Sequence, residues 1–127
     1  MSLDRGSVVL VDLDPTRGQE QRGVRPCVLV SDREVVAGQR FPLVAVVPIS
    51  RKRGEGALYP TLRPEPSGLV EASCALTDQV RSVDKRRVRR LFGRVSAEEM
   101  RAIDEGLALF LGLDEPLLPS VPSATDA

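Results

Sequence analysis

The chain has no histidine and no tryptophan. Without histidine, imidazole acid–base chemistry and His-ligated metals are excluded. Aromatic residues make up only 3% of the 127, so the core must be built from Val, Leu and Ile. The two cysteines, Cys27 and Cys74, each sit in an apolar run. They read as reduced core residues, not as a disulfide or a metal pair. That usage fits a cytoplasmic protein. No run approaches the roughly 20 apolar residues of a membrane-spanning helix. The opening MSLDRGS carries an acid and no apolar segment, so no signal peptide is expected. Lysine is also scarce: only Lys52 and Lys85. An enzyme made from this chain works with guanidinium, hydroxyl, carboxylate and amide groups.

What is present is unevenly spread. The net charge is zero, but residues 1–94 hold 17 basic and 11 acidic side chains, net +6, and residues 95–127 hold one and seven, net −6. A basic body with an acidic end suggests a surface that faces a polyanion. An unevenly charged but merely solvated surface is the plainer alternative.

Length and composition give one domain, residues 1–113, followed by a loose acidic, proline-rich tail over 114–127. Strands are expected at Ser7–Leu13, Pro26–Ser31 and Phe41–Ile49, with Pro48 implying an edge or a bulge. A short strand is expected at Tyr59–Arg63, one or two more between Leu69 and Val83, and a last one at Val88–Val95. Arg33–Gln39 reads as a connector, and Asp84–Arg87 as a tight turn. Many short strands split by Gly, Pro and Asp turns indicate a small barrel. Ser96 and Glu99 form a capping box, and Gly112 stops the helix they start, at about 96–112. Met100, Ile103, Leu107, Phe110 and Leu111 give it a face for the barrel.

The stretch Gly18–Asp32 organises the rest. A polar loop, Thr16–Gly23, leads into an apolar strand through Arg22-Gly23-Val24-Arg25-Pro26. Pro26 biases Arg25 toward extended backbone, which puts a guanidinium at the entrance of a core strand. Such a group suits phosphate. It could equally pair with a carboxylate such as Glu20.

Several segments together carry a resemblance: VLVDLDPTRGQEQRGVRPCVLVSD, VVPIS, YPT, GLVEASCALTDQVRSVDK and LGL. They look like the MazF/PemK toxins of bacterial toxin–antitoxin pairs, from about Arg5 to Leu113. The resemblance implies an SH3-like barrel of the CcdB/MazF type, mainly β with a C-terminal helix. It implies a homodimer, a cognate antitoxin as partner, and a metal-free, cofactor-free endoribonuclease acting on single-stranded mRNA. It makes Arg25 catalytic, with Ser50 acting beside it. Many members carry a second hydroxyl residue directly after that one; here Arg51 stands instead. Glu20 matches a loop carboxylate that could be the base or a base-edge acceptor, or simply a solvated charge. Gln79 matches a position near the substrate, and its alternative is an amide on an exposed strand face.

Arg17 and Arg22 are candidate phosphate contacts, and Gln21 in the same loop and Arg51 after Ser50 are further candidate RNA contacts. Arg81, Lys85, Arg86, Arg87, Arg89, Arg90 and Arg94 place seven cations within 14 residues, with only Asp84 opposing them in sequence. They could track RNA, dock an acidic antitoxin segment, or form a solvated face. The three Phe read as core residues. Metal-free RNA cleavage uses the 2′-OH as nucleophile, giving 2′,3′-cyclic phosphate and 5′-OH ends, and cations must then stabilise the phosphorane. The alternative function is a CcdB-like gyrase inhibitor with no nuclease activity.

Overall fold

The computed structural model describes residues 2–52 and 54–113; the tail expected over 114–127 lies outside them. Seven strands form a curled antiparallel sheet: β1 (Ser7–Asp12), β2 (Val24–Leu29), β3 (Leu43–Ser50), β4 (Thr61–Leu62), β5 (Ser73–Ala75), β6 (Arg81–Asp84) and β7 (Val88–Arg94). The order is β4-β5-β3-β2-β1-β7, with β6 also on β3. This is the expected small barrel with a C-terminal helix.

β3 makes the curl. Its first half pairs with β6, as far as Val46 opposite Arg81. Its end pairs with β5, from Ile49 opposite Ala75. Pro48 falls in the gap between the two partners, while its other side faces Cys27 of β2. So Pro48 marks neither an edge nor a free end. A residue without an N–H sits where the strand changes neighbours, and its carbonyl accepts from Leu76 N at 2.9 Å.

The strands are apolar on both faces because both faces are buried. Val8, Val28, Val47 and Ile49 point into one cluster together with Leu62, Val95 and Ile103. Val9, Val11, Cys27, Leu29 and Val46 point into the other, with Leu13 and Val83. Adjacent strand residues therefore serve opposite clusters, as a period of two requires.

Three helical segments close the fold: α1 (Arg33–Ala37), α2 (Pro64–Ser67) and α3 (Ala97–Leu111). The Arg33–Gln39 connector is thus partly a helix, capped by Asp32, whose side chain accepts from Glu34 N at 3.0 Å. The region between Leu69 and Val83 holds two strands joined by a 3₁₀ turn, Thr77–Gln79. The capping box of α3 forms in full: Ser96 Oγ accepts from Glu99 N at 3.0 Å, and Glu99 Oε1 accepts from Ser96 N at 2.9 Å. Glu99 Oε2 also accepts from Arg63 N at 2.7 Å. Arg5 grips Asp104 through both carboxylate oxygens, and this hydrogen-bonded pair raises the Arg5 pKa further. Gly106 is needed where α3 crosses the 3₁₀ turn: a Cβ there would meet Ala57 O and Thr77 Oγ1, both at 2.8 Å.

The helix face departs from expectation at its end. Ile103 is buried, and Met100 and Leu107 pack on the core. Leu109, Phe110 and Leu111 are exposed, because the last turn projects past the barrel it covers. Phe110 is therefore not a core residue. No helix among the described residues is long and apolar enough to cross a membrane.

Candidate active site

The loop before β2 is clamped at its base. Leu13 N donates to Gly23 O at 2.9 Å, and Gly23 N donates to Asp14 Oδ1 at 3.0 Å. Gly23 has φ of 76°, a left-handed value that glycine takes without strain. Immediately after it, Arg25 sits on β2 opposite Val11. The strand thus begins two residues earlier than its apolar pattern indicates. Arg25 Nε donates to Arg22 O at 2.9 Å, which orients the exposed guanidinium without neutralising it. Among the described residues no carboxylate forms an ion pair with it, so the Glu20 pairing does not form.

Arg25 faces a cavity of about 580 Å³. Ser50, Arg51 and Lys52 line it from the end of β3, Gln21 from the loop, Leu69, Val70 and Glu71 from the segment before β5, and Phe92 from β7. Three cations thus share the cavity with one carboxylate. Ser50 Oγ accepts from Lys52 N at 3.1 Å, leaving its hydroxyl proton available. The Cys74 thiol donates to Lys52 O at 3.1 Å and pins the same turn. Arg51 pairs with Glu71 at 3.3 Å across exposed side chains.

The other sequence-predicted residues divide into two groups. Glu20, Gln21, Gln79 and Arg81 line a smaller cavity of about 130 Å³; Gln21 reaches both. Gln79 is on the 3₁₀ turn rather than a strand face, and its Oε1 accepts from Gln21 N at 2.8 Å. Glu20 Oε1 accepts from Arg17 N at 2.9 Å, so this carboxylate shapes its own exposed loop. Arg17 and Arg22 are exposed on that loop. Arg81 donates to Leu13 O at 2.9 Å. Beside it, the Tyr59 hydroxyl donates to Asp78 Oδ2 at 2.6 Å, and this bond raises the Tyr59 pKa.

Lys85 and Arg86 line neither cavity. The Lys85 ammonium donates to Val35 O at 2.6 Å and Gly38 O at 2.7 Å, closing the C-terminal end of α1. Arg86 chelates Asp84 through Nε and a terminal nitrogen, both at 3.0 Å. Its side-chain and backbone hydrogen bonds hold the Asp84 carboxyl at a pKa of about 2. Arg87 donates to Asp12 O and Asp14 O. Arg89 pairs with Asp12, and Arg94 with Asp4. Arg90 lies over the Phe92 ring at 5.1 Å. All seven cations have a partner that the fold supplies. Sequence reasoning did not single out Leu69, Val70, Glu71 or Lys52 for the site, and it read Phe92 as a core residue. The first three lie inside the GLVEASC segment, which gave the only available signal.

These features define a small-barrel protein whose cavity offers guanidinium and hydroxyl groups to an anionic ligand. Residues 4–111 match the family described as PemK-like, MazF-like toxin of type II toxin-antitoxin system. The chain belongs to this family. It is 36% identical to endoribonuclease MazF9 of Mycobacterium tuberculosis, over 86% of this chain and 96% of the relative. Its fold matches MazF of Deinococcus radiodurans with a TM-score of 0.74 at 25% identity, covering 88% of this chain and 98% of that one. A mycobacterial endoribonuclease solved with its cognate antitoxin shares the fold, with a TM-score of 0.73 at 23% identity, covering 91% and 100%. The CcdB-like alternative is set aside, since the family match is to MazF-type toxins.

Proposed function

We propose that the protein is a sequence-specific endoribonuclease toxin that cuts single-stranded mRNA and is neutralised by a cognate antitoxin. One observation carries this reading: Arg25, oriented by the Arg22 carbonyl and unpaired with any carboxylate among the described residues, shares a cavity with Ser50. The 2′-OH gives its proton to a base and attacks the adjacent phosphate, the P–O5′ bond breaks, and the departing 5′-oxygen takes a proton from water, leaving 2′,3′-cyclic phosphate and 5′-OH ends. Arg25 holds the charge that grows on the phosphorane oxygens. Ser50 donates its hydroxyl proton to a phosphate oxygen or positions the 2′-OH. Lys52, Arg17 and Arg22 hold flanking phosphates, and Gln21 and Gln79 fix the loop beside them. Glu20 is the candidate base. It faces the smaller cavity, so it acts at the 2′-OH only after the loop turns toward Arg25. Among the described residues the one carboxylate lining the large cavity is tied to Arg51, a donor set unsuited to a divalent cation, which supports a reaction run by the chain's own groups.

The match to family members solved as MazE–MazF assemblies, such as that of Deinococcus radiodurans at 25% identity, supports an antitoxin partner. The exposed apolar end of α3 supports a homodimer, and the thiol usage supports a cytoplasmic site of action. The test is purified protein with EDTA on a long single-stranded RNA, followed by mapping of the ends. Discrete cuts at a shared word with 5′-OH ends, absent in Arg25→Ala, are expected. Intact RNA, from protein shown free of antitoxin on a denaturing gel, would refute the nuclease reading.

A further inference from the structure

Part of the large cavity differs in character from the Arg25 and Ser50 groups. Its wall there is Leu69, Val70 and Phe92, and its one carboxylate is Glu71. Leu69 and Phe92 pack on the core below, which makes them a fixed surface. Val70 is 93% exposed, so core packing does not account for it. An apolar wall of Leu69 and Val70 beside a carboxylate, next to cations that suit phosphate, fits a splayed nucleobase: the face lies on the wall and the edge meets the carboxylate.

Glu71 Oε2 is held by Arg51 at 3.3 Å. Among the described residues Oε1 has no hydrogen-bond partner. An ionised carboxylate only accepts hydrogen bonds, so it selects edges that donate. On the Watson–Crick edge, guanine presents two adjacent donors, N1–H and the exocyclic amino group, one for Oε1 and one for the lone pair of Oε2 that Arg51 leaves open. Adenine and cytosine each set one amino donor beside a ring-nitrogen acceptor. Uracil flanks its single N–H with two carbonyl oxygens, which a carboxylate repels. Arg51, the residue that replaces the second hydroxyl common in the family, orients the reading carboxylate.

We propose that the Glu71 side of the cavity is a nucleobase subsite selecting guanine beside the cleaved phosphate, with Glu71 as the reading group and Arg51 as its positioning residue. This rests on the nuclease reading of the same cavity. The experiment uses full-length wild type and Glu71→Gln on RNA pools randomised one position at a time around a mapped cut, with sequencing of the 5′-OH ends. Wild type should favour guanine over uracil at one flanking position by about tenfold or more, the discrimination expected of a well-made base contact. Glu71→Gln, an exposed isosteric change whose folding is checked by melting, should lose that preference while still cutting at redistributed sites. Arg51→Ala should blur the same position. The subsite is overturned if guanine is not favoured, or if Glu71→Gln keeps the wild-type word. It is also overturned if Glu71→Gln binds all RNAs more tightly with an unchanged word, since Glu71 would then merely compete with phosphate for Arg51. Wild type that cuts no RNA overturns both readings, whereas cutting indifferent to Glu71 overturns this one alone.

Discussion

Replacing Arg25 tests the mechanism most directly, because the structure separates its charge from its geometry. Its Nε is spent on Arg22 O at 2.9 Å, which leaves the two terminal nitrogens for the phosphate. Arg25→Ala removes both donors and the charge, and a guanidinium placed on a transferring phosphoryl group is worth roughly 10³–10⁵ in kcat. Arg25→Lys keeps the charge but loses the Nε anchor and the fork, so the single donor that remains is no longer aimed. A loss comparable to one oxyanion-hole donor, roughly 10²–10³ in kcat, is expected. Neither change should unfold the protein. The side chain is exposed, and surface substitutions of this kind move stability by about 0.5 kcal/mol or less. The assay is single-turnover cleavage of a short fluorogenic RNA carrying the mapped word, with melting curves beside it. An Arg25→Ala protein within tenfold of wild type would refute the assignment. A fully active Arg25→Lys would show that a point charge suffices and that the Arg22 carbonyl orients nothing of consequence.

Glu20→Gln should lower kcat by roughly 10²–10⁴ if the loop carboxylate takes the 2′-OH proton; a change confined to KM assigns it to RNA holding instead. Gly106→Ala gains about 1 kcal/mol of helix propensity but drives a Cβ to 2.8 Å from Ala57 O. Overpacking of about 1–3 kcal/mol should win, and urea denaturation that shows a stabilised variant would contradict the packing. Lys85→Ala should lower the melting temperature by releasing the end of α1 while leaving the RNA cleavage rate within about twofold. That small effect follows from its ammonium being taken by two carbonyls, whereas an exposed charge of this kind loses one phosphate contact. Burial pushes the Cys27 thiol from 9.0 up to about 12, so a disulfide reagent at pH 8 should leave it unlabelled until the protein is denatured. The sign follows: the folded state holds this proton more tightly, so its contribution to stability is full below about pH 9 and fades as pH rises toward 12.

What was legible in the sequence was local. The α3 capping box needs only Ser96 and Glu99, three residues apart, and it forms as written. The β1, β2 and β3 runs are apolar over consecutive residues because both faces of the sheet are buried, and that too is a local signal. The Arg25–Pro26 step placed the guanidinium at the strand entrance, although β2 starts at Val24 through pairing with Asp12, which no property of residue 24 announces. What was hidden depended on distant partners. Pro48 looks like an edge residue until β3 is seen to change neighbours there. Gln79 looks like a substrate amide until Gln21, 58 positions away, donates to it. Phe110 has the spacing of a core residue, but the barrel ends before it. Glu71 lay within the resembling segment and yet had no assigned role, because only the fold sets it across from Arg51.

The basic cluster shows why a charge count misleads and a pairing list does not. Along the sequence, seven cations between 81 and 94 face only Asp84, and an unopposed field of that size argues for RNA tracking. In the fold, Arg89 meets Asp12 across 77 positions and Arg87 meets the Asp14 carbonyl across 73. Arg86, Arg89 and Arg94 already face carboxylates, so their contribution to phosphate binding is the difference between two similar contacts. Arg25 pays no such exchange. Its one protein bond runs to a carbonyl three residues before it, through the nitrogen that phosphate does not need. The affinity of the chain for RNA should therefore follow the few cations around the large cavity and in its loop, and not the stretch from Arg81 to Arg94 with its seven cations.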